Sequence, residues 1–130
     1  MKVILGIGCD RGTPLQTLEQ VIDLALNSIN LDRQAVLKLA TIDKKNDEVA
    51  ILQLAEKQQW PLVFYPAEQL ALVEVPSPSA VVLKYMGTPS VSEAAALLAA
   101  NTDMSNLMVE KFKYRGEDGK NATISIVKST

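Results

Sequence analysis

The sequence predicts an α/β fold: a single domain with a mixed sheet, βαβαβ and parallel at its start, closing on a C-terminal antiparallel hairpin, with helices on both faces. Three observations predict it. Apolar, β-branched runs at 3–5, 35–42 and 62–65 alternate with helical patterns, the arrangement that yields parallel strands joined by crossover helices. After Asn101 the apolar period drops to two. Leu107, Val109 and Lys111 alternate with Met108, Glu110 and Phe112, and Ala122, Ile124 and Ile126 alternate with Thr123, Ser125 and Val127. Between these runs Gly116-Glu117-Asp118-Gly119 is a turn signal that folds them into a hairpin. The 130 residues, 48% of them apolar, suit one domain spanning 1–130 with one core.

The first element is the short run Val3, Ile4, Leu5, followed by Gly6-Ile7-Gly8-Cys9-Asp10-Arg11-Gly12. This stretch is expected to form a glycine-rich turn between strand and helix. Thr13 would cap the helix, Pro14 would take its first position and Gln16 would close a capping box. Backbone N–H groups there, the positive end of the helix dipole and the Arg11 guanidinium together suit an anion. The plainer reading is a tight βα connection in which Gly6, Gly8 and Gly12 serve positive φ and close packing. It is not a dinucleotide fingerprint, since that spacing puts Arg11 where the third glycine belongs, and the Gly-Lys-Ser/Thr ending of a P-loop is absent.

Leu15, Leu18, Ile22, Ala25, Leu26 and Ile29 form the buried stripe of the first helix, with Gln16, Glu19, Gln20, Asp23 and Asn27 opposite; Asn30 ends it. The second strand, 35–42, runs into the densest charge cluster of the chain, Asp43-Lys44-Lys45-Asn46-Asp47-Glu48. A helix carrying Val49, Leu52 and Ala55 on its inner face follows and stops at Trp60-Pro61. After the third strand, Pro66 opens a short helix through Leu70, and 73–79 is a loop with two prolines. Ser77-Pro78 reads as the cap of a helix through Met86 that Gly87 stops. Ser90-Val91-Ser92-Glu93 reads as a capping box for an alanine-rich helix to Ala100.

Composition narrows the function. A net charge of −2, the lack of a dense basic cluster and only 5% aromatics argue against nucleic acid. No apolar run reaches the length of a membrane span, and the strand at residue 3 leaves no room for a signal peptide. A lone cysteine suits the cytoplasm. Histidine is absent, so catalysis by His triads and His-ligated metal sites are excluded.

The ordered landmarks Gly-Ile-Gly-Cys-Asp-Arg-Gly at 6–12, Ala-Thr-Ile-Asp-x-Lys-x-x-Glu at 40–48, Gly87 before Val91-x-Glu93-Ala94-Ala95-Ala96, Lys111 and Ala122-Thr123 resemble a known family. They look like the C-terminal domain of the cobalamin-biosynthesis protein CbiG, also found as the stand-alone protein CobE, over nearly the full chain. That resemblance implies a place in corrin-ring assembly. CbiG opens the lactone of cobalt-precorrin-5A and releases acetaldehyde, whereas CobE acts in the aerobic branch. The N-terminal part of CbiG has no counterpart here, which brings the chain closer in size to CobE. Family members often carry a basic residue after the cysteine; here Asp10 stands there and weakens the positive field of the loop.

The resemblance implies a corrinoid or other tetrapyrrole intermediate as ligand, other cobalamin-biosynthesis enzymes as partners, no separate cofactor, and cobalt only within the substrate. In α/β sheets, ligands gather at the carboxyl ends of parallel strands. An apolar ring with carboxylate arms needs cations and backbone donors around an apolar floor. Gly6, Gly8, Cys9, Arg11 and Gly12 of the first loop are therefore candidate ligand-binding residues, with Gly87, Val91, Glu93 and Lys111 as a second wall. For lactone opening, Glu48 or Asp43 is the candidate base and Lys45 the candidate oxyanion partner. The plainer readings are a solvated helix start for Asp43, Lys45 and Glu48, a capping residue for Glu93, a small packing residue for Cys9 and a solvent-facing Lys111. Two readings stay open: an accessory or binding protein, or a small hydrolase acting alone. An unrelated nucleotide-binding domain is the weaker third.

Overall fold

The computed structural model describes residues 1–129. The chain runs through strand β1 (Val3–Cys9), helix α1 (Leu15–Asn27), β2 (Val36–Ile42), α2 (Val49–Gln58), β3 (Leu62–Tyr65), α3 (Ala67–Leu70), α4 (Ala80–Met86), α5 (Ser92–Ala100), β4 (Leu107–Arg115) and β5 (Asn121–Lys128). The five strands form one sheet in the order β3-β2-β1-β5-β4. β1, β2 and β3 are parallel, and the hairpin β4–β5 joins antiparallel to β1. The predicted fold class therefore holds, with β1 at the centre.

The two faces of β1 are covered differently. Val3, Leu5 and Ile7 point into the larger core, where α1 contributes Leu18, Ile22 and Leu26, and α2 contributes Ile51 and Leu54. On the other face Gly6 lies opposite Ala40 of β2 and Ser125 of β5. Three small residues in one row across three strands make a trough, and the buried alanines Ala94, Ala95 and Ala96 of α5 settle into it. A Cβ built at Gly6 would stand 1.8 Å from the Ser92 carbonyl oxygen. Close approach of backbone to backbone, not a turn, is what this glycine serves.

Several local expectations need correction. The glycine-rich stretch is not a loop: Gly6 and Gly8 belong to β1, and only the segment from Asp10 onward turns, with Gly12 at φ +79°. The capping box on α1 does not form, since Pro14 occupies the cap position and Thr13 donates its hydroxyl to the Asp10 carbonyl instead. The inner face of α2 is Ala50, Ile51, Leu54 and Ala55, while Val49 and Leu52 are exposed. The stripe with helical spacing that meets the core is 50, 51, 54 and 55, and Val49 and Leu52 fall on the other side of it. Ser79, not Ser77, caps α4 by accepting the Val82 N–H. The capping box of α5 forms only in part: Val91 is at the cap, Ser90 Oγ accepts the Ala94 N–H at 3.4 Å, and Ser90 bonds the Glu93 side chain. The expected stops are in place: Asn30 has φ +59° and Gly87 has φ +77°.

Candidate functional site

The turns after β1 and β2 meet, and Glu48 is where they meet. Its Oε1 accepts the Gly12 N–H at 3.0 Å and lies 3.7 Å from Lys45 Nζ; its Oε2 is 3.4 Å from Arg11 Nη1. Arg11 also donates to Asp47 Oδ1 at 2.7 Å and to the Lys44 carbonyl at 3.0 Å. In the turn ahead of α1, where an anion was expected, the protein's own Glu48 carboxylate takes the Gly12 N–H. Both oxygens of Glu48 are engaged, and its side chain is only 5% exposed. This geometry makes it a clamp between two turns and leaves it no free oxygen to hold a water. Asp43, the other candidate base, is exposed at the head of the 3-10 turn after β2.

Asp10 closes the opposite side of the first turn. Its Oδ2 accepts from the Asn121 backbone N–H at 2.8 Å and from Asn121 Nδ2 at 3.1 Å, tying the end of β1 to the start of β5. Both donors come from Asn121, so this carboxylate serves to hold the hairpin to β1. Cys9 ends β1 rather than opening a helix, so no helix dipole lowers its thiol. Burial pushes the thiol up, Lys45 opposes this in part, and Glu48 adds to the rise.

Beside this clamp, at the carboxyl end of β1, a cavity of about 380 Å³ opens between α4, the start of α5 and the hairpin. Such a volume is within the range of small-molecule pockets. One wall is apolar, from Val81, Val82, Tyr85 and Met86 of α4. Three lysines, Lys45, Lys111 and Lys113, line it from other sides, and the ammonium of the buried Lys45 is turned to Glu48. Of the residues singled out from sequence, Gly8, Cys9, Lys45, Val91 and Lys111 line the cavity. Gly6, Arg11, Gly12, Asp43, Glu48, Gly87 and Glu93 stand outside its wall, the first beneath α5 and the next four in the clamped turns. Gly87 ends α4, where its positive φ lets the chain reverse. Arg11 and Lys45 do share one end of the molecule, but through Glu48 rather than through a common hollow.

The sequence reasoning missed Lys113 and the whole α4 wall. Lys113 was legible, being two residues from Lys111 on one strand and hence on the same face. α4 carries a subtler signal: its sequence AVVLKYM has almost no polar face, yet none of its residues is buried. Val81, Leu83 and Tyr85 are all at least half exposed. A helix so apolar and so uncovered sits at a cavity mouth rather than in a core.

Behind the wall lies Glu93, fully buried in the first turn of α5. Its Oε1 is 3.5 Å from Lys111 Nζ and 3.4 Å from Ser90 Oγ, while Oε2 has no hydrogen-bond partner. Burial pushes this carboxyl above the ordinary range, and Lys111 restrains the rise. Among the described residues no cluster of His, Cys, Asp or Glu is placed to hold a metal ion, and no helix is long and apolar enough to cross a membrane.

Comparison with known proteins agrees with this architecture. Residues 3–127 match the family described as "Cobalamin synthesis G C-terminus". The chain is 35% identical over 122 residues to the cobalt-precorrin-5A hydrolase of Priestia megaterium, covering 94% of this chain and 31% of that protein. It is 32% identical over 111 residues to Protein CobE of Sinorhizobium sp, covering 84% and 71% respectively. The chain thus spans about a third of the length of the hydrolases it matches and most of CobE. Among solved structures, CobE from the cobalamin (vitamin B12) biosynthetic pathway superposes with a TM-score of 0.80 at 31% identity, over 97% of this chain and 93% of that one. The cobalamin biosynthesis protein chiG of Agrobacterium tumefaciens str. C58 shares the fold, with a TM-score of 0.65 at 24% identity over 98% of both chains. On a family match over 125 of its 130 residues and a superposition with CobE that covers 97% of the chain, the chain belongs to the family of the CbiG C-terminal domain and CobE.

Proposed function

We propose that this protein acts in cobalamin biosynthesis by binding a corrinoid precursor in the cavity at the end of β1, as a CobE-like accessory or binding protein. The observation that carries this reading is the pairing of an apolar wall from α4 with the lysines Lys111 and Lys113 of β4 in the same lining, and Lys45 beside them. An apolar macrocycle with carboxylate arms needs both at once: area to desolvate its ring and fixed cations to meet its arms. Cobalt enters this reading only within the ligand, and the partners that would deliver or take up the intermediate are other enzymes of the same pathway, in the cytoplasm. A binding role is favoured over hydrolysis by the chain alone because Glu48 spends both oxygens on the clamp.

Calorimetric titration with cobyrinic acid, whose arms are free carboxylates, tests the reading against cyanocobalamin, whose arms are amides. Binding of the first and not the second is expected, with Lys111→Ala weakening it about tenfold or more, the scale of one charge-assisted bond. Equal affinity for both ligands, or none for either, overturns it. Acetaldehyde release on incubation with cobalt-precorrin-5A would instead identify a hydrolase complete in itself.

A further inference from the structure

Lys111 is held from two sides. Its ammonium carries three protons: one is donated to the Ser77 carbonyl of the loop before α4, and one faces Glu93 Oε1 at 3.5 Å. A carboxylate in the cavity that Lys111 lines would have to share this one positive charge with Glu93. Glu93 is less well provided for. Its side chain is 0% exposed, Oε1 has only Lys111 and a long contact to Ser90 Oγ, and Oε2 has no partner. A buried carboxylate with one orphan oxygen is costly to keep ionised, and here a single lysine offsets that cost.

We propose that Glu93 and an acidic arm of the ligand compete for the Lys111 ammonium, so that ligand binding draws a proton from solvent onto Glu93. This rests on the corrinoid-binding reading of the same cavity. The balance is simple: a ligand carboxylate reaches Lys111, a second negative charge now stands near Glu93 in a dry site, and Glu93 takes up one proton at its orphan oxygen. The site then holds one ammonium and one carboxylate, as it did before. Glu93 acts through Lys111 and is a positioning residue, not one that touches the ligand. Other ionisable groups around it do not replace this exchange. Glu110 of β4 is exposed and disfavours ionisation of Glu93. Lys45, Lys113, Asp10 and Cys9 line the cavity rather than the pocket behind it, Glu68 of α3 is exposed, and Tyr65 of β3 packs against the alanines of α5.

Titration with cobyrinic acid at several pH values above 6, in buffers of different ionisation enthalpy, tests the proposal on the wild-type chain and on Glu93→Gln. The wild type is expected to take up protons on binding and to lose affinity by as much as about tenfold per pH unit as pH rises. Glu93→Gln is expected to bind without that uptake, with an affinity that no longer falls, and more tightly than wild type at the alkaline end. Identical proton uptake in both proteins overturns the proposal and leaves the corrinoid reading standing. No binding by either protein overturns the corrinoid reading. In that event an infrared titration of the unliganded chain still judges the Glu93–Lys111 pair: Lys111→Met should move the Glu93 carboxyl upward, and an unmoved carboxyl refutes their coupling.

Discussion

Replacing Gly6 by alanine adds one methyl group at the centre of the molecule, and the structure sets its cost. The new Cβ would lie 1.8 Å from the Ser92 carbonyl oxygen, 2.8 Å from its carbon and 3.0 Å from Ala96 Cβ. Ordinary contact begins at 3.4 Å, so α5 would have to retreat by about 1.6 Å. The nearest obstacle is backbone and cannot rotate aside. Retreat would loosen Ala94, Ala95, Ala96 and Leu97, all essentially inaccessible to solvent. Overpacking of a close-packed core commonly costs 1–3 kcal/mol, and a helix-wide shift belongs at or above the upper end, about 3 kcal/mol. With a urea dependence of about 1.5 kcal/mol/M, the unfolding midpoint should fall by about 2 M. Gly8→Ala is the internal control, two residues along the same strand, where the nearest atom to the new Cβ is Val91 Cγ1 at 3.8 Å. It should be neutral or stabilise by up to about 1 kcal/mol, through lower entropy of the unfolded chain. Equal midpoints for the two variants would refute the trough as the reason for glycine at position 6.

Glu48→Ala removes the clamp and strands Lys45, whose side chain is 7% exposed; breaking a buried pair from one side should cost about 3 kcal/mol or more, read as a drop in the urea midpoint, and a loss under 1 kcal/mol would show the pair to be solvated. Stability should decline as pH rises from the unfolded carboxyl value through the raised folded value of Glu93, because in that window the native state binds more protons than the unfolded chain. Glu93→Gln should lack this slope, measured as urea midpoints against pH; the same slope in both proteins would assign it elsewhere. Cys9 should react with iodoacetamide at neutral pH more slowly than free cysteine, since burial raises its thiol; reaction at or above the free rate would contradict the burial that the structure gives it.

The succession of elements and the hairpin were legible because they rest on local periods, 3.6 for helix faces and two for strands, that a single sequence displays. The function of the glycines was not. Gly6 and Gly8 are identical to loop glycines in a local reading, and only the arrival of α5, some 86 residues later, shows that Gly6 is small for the sake of Ser92. Glu48 was visible as a charged residue in a charged turn, but its partners Gly12 and Arg11 lie more than thirty residues away. Glu93 illustrates the opposite failure. The spacing of Ser90 and Glu93 fits a capping box, yet Glu93 turns to Lys111 on β4, a residue that no local pattern connects to it.

These misreadings have one physical origin. A free N–H in a turn is taken by whichever carboxylate reaches it, and in the turn ahead of α1 that carboxylate is Glu48. With that turn filled from within, the proposed ligand is left the cavity at the same end of the sheet. The trough over Gly6, Ala40 and Ser125 provides the means, because it lets α5 sit low enough for its first residues, Ser90 to Ser92, to border the end of β1. The Ser125 hydroxyl, which donates to the Glu110 carbonyl and lies 2.8 Å from Ser92 Oγ, fixes α5 in that position from β5. The cavity therefore depends on small side chains that never touch its contents. A substitution such as Gly6→Ala should damage the site through α5 and Lys111's partner Glu93, whereas Gly8→Ala should alter only the cavity wall. Loss of ligand affinity in Gly6→Ala under conditions where it remains folded, with the lysines intact, would separate this architectural dependence from the charges themselves.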